Sequence, residues 1–281
     1  MTNSDLINSD LTNSDLTNYA IVIGASSLIA QSTVLALTET DGYDKIVCFS
    51  RGQRPESLST HSPLLENKLD WRQTDYTPDM IRQQTQTLHQ QIQNDPSAAI
   101  SRVIICLGKL HSKLHNKLHD NGLDQSHSIK PEKRLEDFNA FSAESLMQVN
   151  AITPMIWLQQ LLPILKSKTP CKVAVFSARV GSLGDNGLGG WYAYRASKAA
   201  LNMMLKTAAI EFARRAKNIK LVAFHPGTVD TPLSKPFQSS VPPGKLFTPE
   251  FVAQQLLNIL ETVPVDGALS YLDWNNQPIT W

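Results

Sequence analysis

A doubly wound α/β sheet, three layers deep as α/β/α and confined to a single domain, is the fold class that this sequence predicts. Three observations point to it: short apolar runs rich in β-branched residues, helix-compatible stretches between them, and a glycine closing the first run. Strands that are apolar throughout, rather than alternating, belong to a parallel sheet whose crossover helices cover both faces.

The first 18 residues stand outside that pattern. "NSDL" recurs at 3, 8 and 13, a five-residue period that fits neither a helix face nor a strand face. With so little apolar surface to bury, the segment is expected to be a disordered tail, with a docking peptide as its functional alternative. Order is expected from 19 to 281. It begins with the strand "YAIVIG", the turn "GASSLIA" and the helical stretch "LIAQSTVLALTE". Further strands are expected at 45–49, 102–108, 172–177 and 219–224, and helices at 79–93, 136–166 and 192–216.

Composition narrows the partners. The 281 residues are 42% hydrophobic, ample for a core, and 26 basic side chains face 25 acidic ones. That balance gives no reason to expect nucleic acid or an anionic membrane, so a small molecule is the expected partner. Cys48, Cys106 and Cys171 are far apart and form no CxxC pair, which argues against a disulfide framework or a zinc site. No apolar run approaches the roughly 20 residues that span a bilayer, and the amino terminus lacks the pattern of a signal peptide. A cytoplasmic protein is expected.

One insertion breaks the rhythm. "KLHSKLHNKLHDNGLDQSH" places His111, His115 and His119 four residues apart, so on a helix they would share one face and could hold a metal. The stretch is polar, contains a glycine and looks like an expanded short repeat. It is therefore read as a solvated loop, and no metal site is assigned.

Cofactor chemistry is expected where the first strand meets its helix. Gly24 permits a tight turn, and the amides over Ser26, Ser27, Leu28 and Ile29 open a helix whose N-terminus attracts phosphate. Leu28 and Ala30 stand where a glycine-rich loop would carry further glycines. The second strand ends "CFSRGQR": Ser50 and Arg51, with Arg54 nearby, favour the 2'-phosphate of NADP, while NAD stays open.

Catalysis is expected from Tyr194 and Lys198. Four residues apart on a helix, they lie on one face about 6 Å apart along the axis, and a nearby ammonium favours the phenolate. Tyr192 lacks that spacing.

Taken together, "YRASKAALN" (194–202), "VNAITP" (149–154) and "HPGTVDT" (225–231) resemble the active-site helix, asparagine motif and Pro-Gly loop of the short-chain dehydrogenase/reductase family, whose fold is of the Rossmann type. With "SARVGS" and the ending "LDWNNQPITW", the chain looks most like the branch containing C-factor and the sniffer-like carbonyl reductases. The resemblance implies an NADP(H)-preferring oxidoreductase that reduces the carbonyl of a small ketone or aldehyde, with Tyr194 as general acid/base. Lys198 would hold the ribose hydroxyls, and Asn150 would position a relay water. Asp75 would contact the adenine amino group, with Tyr76 against the same ring and Gly108 against the adenosine ribose. Pro226, Gly227, Val229 and Thr231 would pack on the nicotinamide.

The chain also departs from the family. "ICLG" replaces the usual fourth-strand Asn-Asn-Ala-Gly, and Ala178 stands where the substrate-binding serine is normally found. Ser177 and Ser182 are the candidates to replace it, with Ser182 favoured because strand alternation would turn Ser177 away. Residues 232–247 are expected to form a substrate lid in which Phe237 and Phe247 exclude water, and Trp191 lines the pocket or packs on the lid. The eroded turn and missing serine keep a rival reading open, a nucleotide-binding signalling or regulatory protein. The helices at 136–166 and 192–216 could build a homodimer or homotetramer, or face solvent in a monomer.

Overall fold

Seven strands, β1 (Thr17–Ile23), β2 (Lys45–Ser50), β3 (Leu69–Gln73), β4 (Ala98–Ile105), β7 (Cys171–Phe176), β8 (Ile219–His225) and β11 (Ser270–Asp273), join into one parallel sheet. Their order across it is β11-β8-β7-β4-β1-β2-β3. The computed structural model describes residues 16–40, 42–59, 63–113 and 128–281. Chain order runs outward from β1 through β2 to β3, then restarts on its other side at β4. The sheet therefore reverses between β1 and β4, where a crevice opens at the strands' carboxyl ends.

Alternate residues of these buried strands feed two cores. Ile21, Ile23, Phe49, Ile105 and Val175 face α3 (Pro78–Gln93), α5 (Thr153–Leu165) and α6 (Tyr192–Arg215), where Trp157, Leu161, Leu205 and Phe212 meet them. Ala20, Val22, Cys48, Ile104 and Phe224 face α1 (Leu28–Glu39) and α7 (Pro249–Thr262), against Val34, Leu37, Leu256 and Leu260, and Leu65 of the short α2 (Pro63–Lys68) joins the same core. The strict alternation between cores is the strand period of two, and burial on both faces explains why the runs are apolar throughout.

Residues 1–15 of the expected tail lie outside the described residues. Its boundary moves, because Thr17 and Asn18 belong to β1. Their register partners are Ala98 and Ala99 of β4, and the Thr17 amide donates to the Ser97 carbonyl at 2.9 Å. Backbone pairing takes in two polar residues that hydrophobicity alone excludes.

The expected helix at 136–166 is broken. Asn139 caps α4 (Ala140–Met147) by accepting from the Ser142 amide at 3.0 Å, and a π-turn at Gln148–Ile152 separates α4 from α5. The Thr153 hydroxyl donates to the Gln148 carbonyl at 2.8 Å, and Pro154 has no N–H to return to residue 150. The chain must widen there.

Within the insertion, β5 (Ser112–Lys113) pairs antiparallel with β6 (Ser128–Ile129). His115 and His119 lie outside the described residues. His111 Nε2 is 3.1 Å from the Leu233 carbonyl.

Candidate active site

The first turn is pinned on three sides. Gly24 sits at φ +80°, and a Cβ there would lie 2.5 Å from the Cys106 carbonyl oxygen of the neighbouring strand. Its amide also lies 3.0 Å from Tyr76 Oη, which in turn donates to the Phe49 carbonyl at 3.0 Å. Ser27 caps α1 by accepting from the Ala30 amide at 3.3 Å, and no acidic residue occupies the first turn. The positive end of the helix dipole therefore faces a cavity of about 370 Å³ uncompensated. Ser26, Ser27, Leu28 and Ile29 line it on one side, Gly108 and Lys198 on others. Leu28, in a glycine's place, is 41% exposed at this turn. A Cβ on Gly108 would meet nothing within 4 Å.

Several residues expected at the nucleotide's other end are differently employed. Ser50 is fully buried, and its hydroxyl accepts from the Gly52 amide at 3.2 Å, so it is not presented to a ligand. Arg54 is spent on the Leu58 carbonyl and Glu66. Arg51 is exposed, with its guanidinium 5.9 Å from the centre of the Tyr76 ring. Tyr76 therefore braces the Gly24 turn and carries Arg51, while its edge meets Trp157 at 5.9 Å. Exposed Asp75 accepts from the amide and hydroxyl of Thr77, which hold its carboxyl below the usual range.

The catalytic candidates meet at the start of α6. Tyr194 and Lys198 are both buried, and Lys198 Nζ donates to the main-chain carbonyl of Phe176 at 2.8 Å. Burial dominates their protonation: it lowers the Lys198 ammonium to about 8 and raises the Tyr194 hydroxyl above its ordinary value. The expected lowering of the tyrosine is corrected, because desolvation of the phenol is the largest influence on it.

Asn150 sits on the π-turn, fully buried. Its Oδ1 accepts from the Lys109 amide at 2.7 Å, while Nδ2 donates to the Lys109 carbonyl at 2.8 Å and to Ser197 Oγ at 3.0 Å. Ser197 Oγ continues to the Tyr194 carbonyl at 2.8 Å. Both amide hydrogens of Asn150 are thus used in tying the end of β4 to α6, which leaves neither for a relay water.

The two serines exchange rank. Ser177 lies on the cavity wall, with its hydroxyl donating to Asn202 Oδ1 at 2.6 Å. Ser182 is off that wall, and its Oγ accepts from the Asp185 amide at 3.0 Å. The strand ends at Phe176, so alternation no longer governs Ser177. Ala178 is not on the wall of the cavity beside the Gly24 turn but on that of the cavity adjoining it.

Glu132 carries no signal in the sequence, although it holds the start of α6. Trp191, at φ 54°, offers no side-chain cap to α6; instead the Glu132 carboxylate accepts from the Ala193 amide at 3.3 and 3.4 Å, and its carbonyl accepts from the Trp191 amide at 2.6 Å. An acid in "KPEKRLED" reads as solvated, yet this one is 3% exposed.

A second cavity of about 410 Å³ adjoins the first, with Ile29, Ser177, Tyr194, Pro226, Thr231 and Leu233 common to both walls. Leu110, Val180, Trp191 and Phe237 make it largely apolar. Gly227 and Val229 also line it. Trp191 does both things expected of it: its ring lies 6.1 Å from that of Tyr194 and 5.1 Å from that of Phe237 on the 232–247 segment. Phe247 is not on the wall. It pairs through β10 (Leu246–Phe247) with β9 (Thr228–Val229) and packs 4.3 Å from Trp274 beneath Gly227, supporting the loop from behind.

A parallel sheet reversing beside a glycine turn, with tyrosine and lysine one helical turn apart at the strand ends, defines a dinucleotide-fold protein with an oxidoreductase-like site. The chain belongs to the short chain dehydrogenase family, whose model matches residues 18–241. Among curated proteins it is similar to the 1-hydroxy-2-glutathionyl-2-methyl-3-butene dehydrogenase of a Rhodococcus species, 34% identical over 42% of this chain but only 49% of that protein. It is also similar to C-signal of Myxococcus xanthus (30% identical, 47% of this chain, 75% of that one) and to a benzil reductase of Bacillus subtilis (24%, 89% and 96%). Among solved structures, the carbonyl reductase Sniffer of D. melanogaster superimposes with TM-score 0.73 at 16% identity, covering 95% of this chain and 100% of that one. An NADPH-bound carbonyl reductase from chicken fatty liver gives 0.73 at 18%, covering 95% and 99%. These likenesses in structure establish the fold.

Proposed function

We propose that this protein is an NADP(H)-preferring oxidoreductase that reduces the carbonyl of a small hydrophobic ketone or aldehyde. One observation carries the reading: Tyr194 belongs to the walls of two adjoining cavities, one bounded by the Gly24 turn and Lys198, the other apolar. A group placed in each would meet at the tyrosine.

The turn fits a dinucleotide. Gly24 leaves no room for a Cβ, α1 presents an uncompensated N-terminus, and Gly108 borders open space. In this reading the amides of Ser26 to Ile29 hold pyrophosphate and Arg51 meets a 2'-phosphate. Asp75 and Gly108 face the adenosine, Lys198 the ribose, and Pro226 to Thr231 the nicotinamide. Such a cofactor, when bound, supplies the hydride that adds to the carbonyl carbon. Tyr194 donates its proton to the carbonyl oxygen as the C=O π bond breaks, and Lys198 stabilises the charge left on the phenol. Trp191 and Phe237 exclude water from that exchange, with 232–247 as the covering segment. Relatives named as a dehydrogenase and as benzil reductases support the class.

The rival, a nucleotide-binding regulatory protein, draws on exposed Leu28 in the phosphate turn and Ala178 in place of serine. Titration of the protein with NADPH and NADH by fluorescence, followed by turnover of aromatic ketones, separates the two. The reductase reading expects selective NADPH binding, and turnover that Tyr194→Phe cuts on the order of 10²- to 10⁴-fold while binding persists. Binding without any turnover favours the rival, and no binding of either nucleotide sinks the reductase.

Two further proposals accompany this one. Exposed Met203 and Ile210, seven residues apart on α6, support association into a homodimer or homotetramer. Among the described residues no helix is long and apolar enough to cross a membrane, which is compatible with the cytoplasmic setting expected from composition.

A further inference from the structure

His225 ends β8 and stands on the wall of the apolar cavity that also holds Tyr194, Ala178 and Trp191. Its Nδ1 is buried without a hydrogen-bond partner. Asp273 lies opposite it in the β8–β11 register, and that carboxylate is already taken. Oδ1 accepts from the amides of Asn275 and Gln277, both at 2.9 Å, and Oδ2 accepts from Arg179 at 2.9 Å. Burial, then the charge of Arg179, lowers the imidazole to about 4, so the ring is neutral at pH 7.

A neutral imidazole carries one N–H and one lone pair. Orphaned buried N–H groups are rarer than under-satisfied acceptors. The lone pair therefore belongs on buried Nδ1 and the hydrogen on Nε2. That leaves His225 with one neutral donor and no protein partner for it, on a mostly apolar wall shared with Tyr194, the arrangement by which a pocket fixes a ligand's orientation.

We propose that His225 is a specificity-determining residue. Its Nε2–H binds a hydrogen-bond acceptor adjacent to the reacting carbonyl, selecting hydrophobic α-diketones and α-oxygenated ketones over plain ketones. This rests on Tyr194 as the proton donor. A site built to hydrogen-bond a substrate oxygen discriminates strongly against an analogue that lacks it, because the buried polar group is then left unpaired.

The test compares kcat/KM for 1-phenylpropane-1,2-dione and 1-phenylpropan-1-one, at saturating NADPH, in the wild type, His225→Leu and His225→Gln. The dione is intrinsically the more reactive, so the readout is how each variant changes the ratio between the two. His225→Leu is expected to lower the dione value about tenfold or more, chiefly through KM, and the mono-ketone value less than about threefold. His225→Gln, which returns an N–H, is expected to recover much of the preference. A ratio unaltered in a folded His225→Leu protein overturns the proposal. Should that variant not fold, imidazole ¹⁵N spectra of the wild type decide. A hydrogen on Nε2, with a shift on adding 2-hydroxy-1-phenylpropan-1-one but not 1-phenylpropan-1-ol, supports it; a hydrogen on Nδ1, or no shift, overturns it. NADPH binding with turnover of neither ketone defeats the reading of Tyr194 and this proposal together. Turnover of both with no dependence on His225 defeats only the latter.

Discussion

The ammonium of Lys198 donates to the main-chain carbonyl of Phe176 across 2.8 Å, tying α6 to the last residue of β7. The lysine is 2% exposed, so this tether holds a charge-bearing group in a place where charge is disfavoured. A group kept there at a cost to stability is expected to serve function.

That cost can be measured through pH. Lys198 moves from an ordinary 10.5 to about 8 on folding, so between those values the unfolded chain binds the extra proton and stability rises with pH. The penalty is full below pH 8, about 3 kcal/mol, and gone above 10.5. Lys198→Met keeps the volume and removes the charge. It is expected to raise the melting temperature at pH 7, with the gain over wild type shrinking as the pH approaches 10, while carbonyl reduction is lost. A gain independent of pH would contradict the assignment.

Gly24→Ala tests the other side of the site. The new Cβ would fall 2.5 Å from the Cys106 carbonyl oxygen in a backbone at φ +80°, a conformation that L side chains rarely adopt. The turn must move away from β4, and the α1 amides move with it. Chemical denaturation is expected to show a loss of about 1–3 kcal/mol, and NADPH affinity measured by fluorescence should fall further than stability does. Unchanged affinity in the folded variant would mean that the turn holds no phosphate.

Much of this arrangement was legible in the chain, and the misses share a cause. The sheet and the first turn announce themselves because a strand buried on both faces must be apolar. Tyr194 and Lys198 do so because helical spacing puts them on one face. What hydrophobicity does not reveal is where a polar group spends its hydrogen bonds. Thr17 enters β1 through backbone pairing with β4. The break at 148–152 comes from one hydroxyl and one proline. Asn150 and Tyr76 turn inward to brace main chain. Phe247 is drawn behind its loop by Trp274, a residue 27 positions further along.

Glu132 is such a case, and it can be tested. Its carboxylate accepts from the Ala193 amide, one residue before Tyr194, at a helix start that has no side-chain cap of its own. Glu132→Ala is expected to cost about 1–2 kcal/mol, as the loss of a cap and of a favourable charge at a helix N-terminus does. Glu132→Gln should lose less, since its oxygen still accepts. Turnover should follow the same order, mainly in kcat, if the cap sets the Tyr194 hydroxyl. Denaturation and steady-state kinetics on both variants check the ordering.

Arg51 is the residue on which the proposed cofactor preference can be tested. Ser50 is buried and Arg54 is committed to Leu58 and Glu66, so of the three residues expected there only Arg51 is exposed at the end of β2. Its guanidinium sits 5.9 Å over the Tyr76 ring, and Tyr76 braces the same turn that would hold the pyrophosphate. A 2'-phosphate placed there gains a charge-assisted contact, while NADH gains nothing from it. Arg51→Ala is therefore expected to weaken NADPH binding roughly tenfold and leave NADH binding nearly unchanged. The exposed contact is screened by ions, so the wild-type preference should also decline as salt rises from low ionic strength. Parallel titrations of both nucleotides at two salt concentrations check both expectations. Equal losses for the two would remove Arg51 from phosphate recognition and leave its stacking on Tyr76 as its only role.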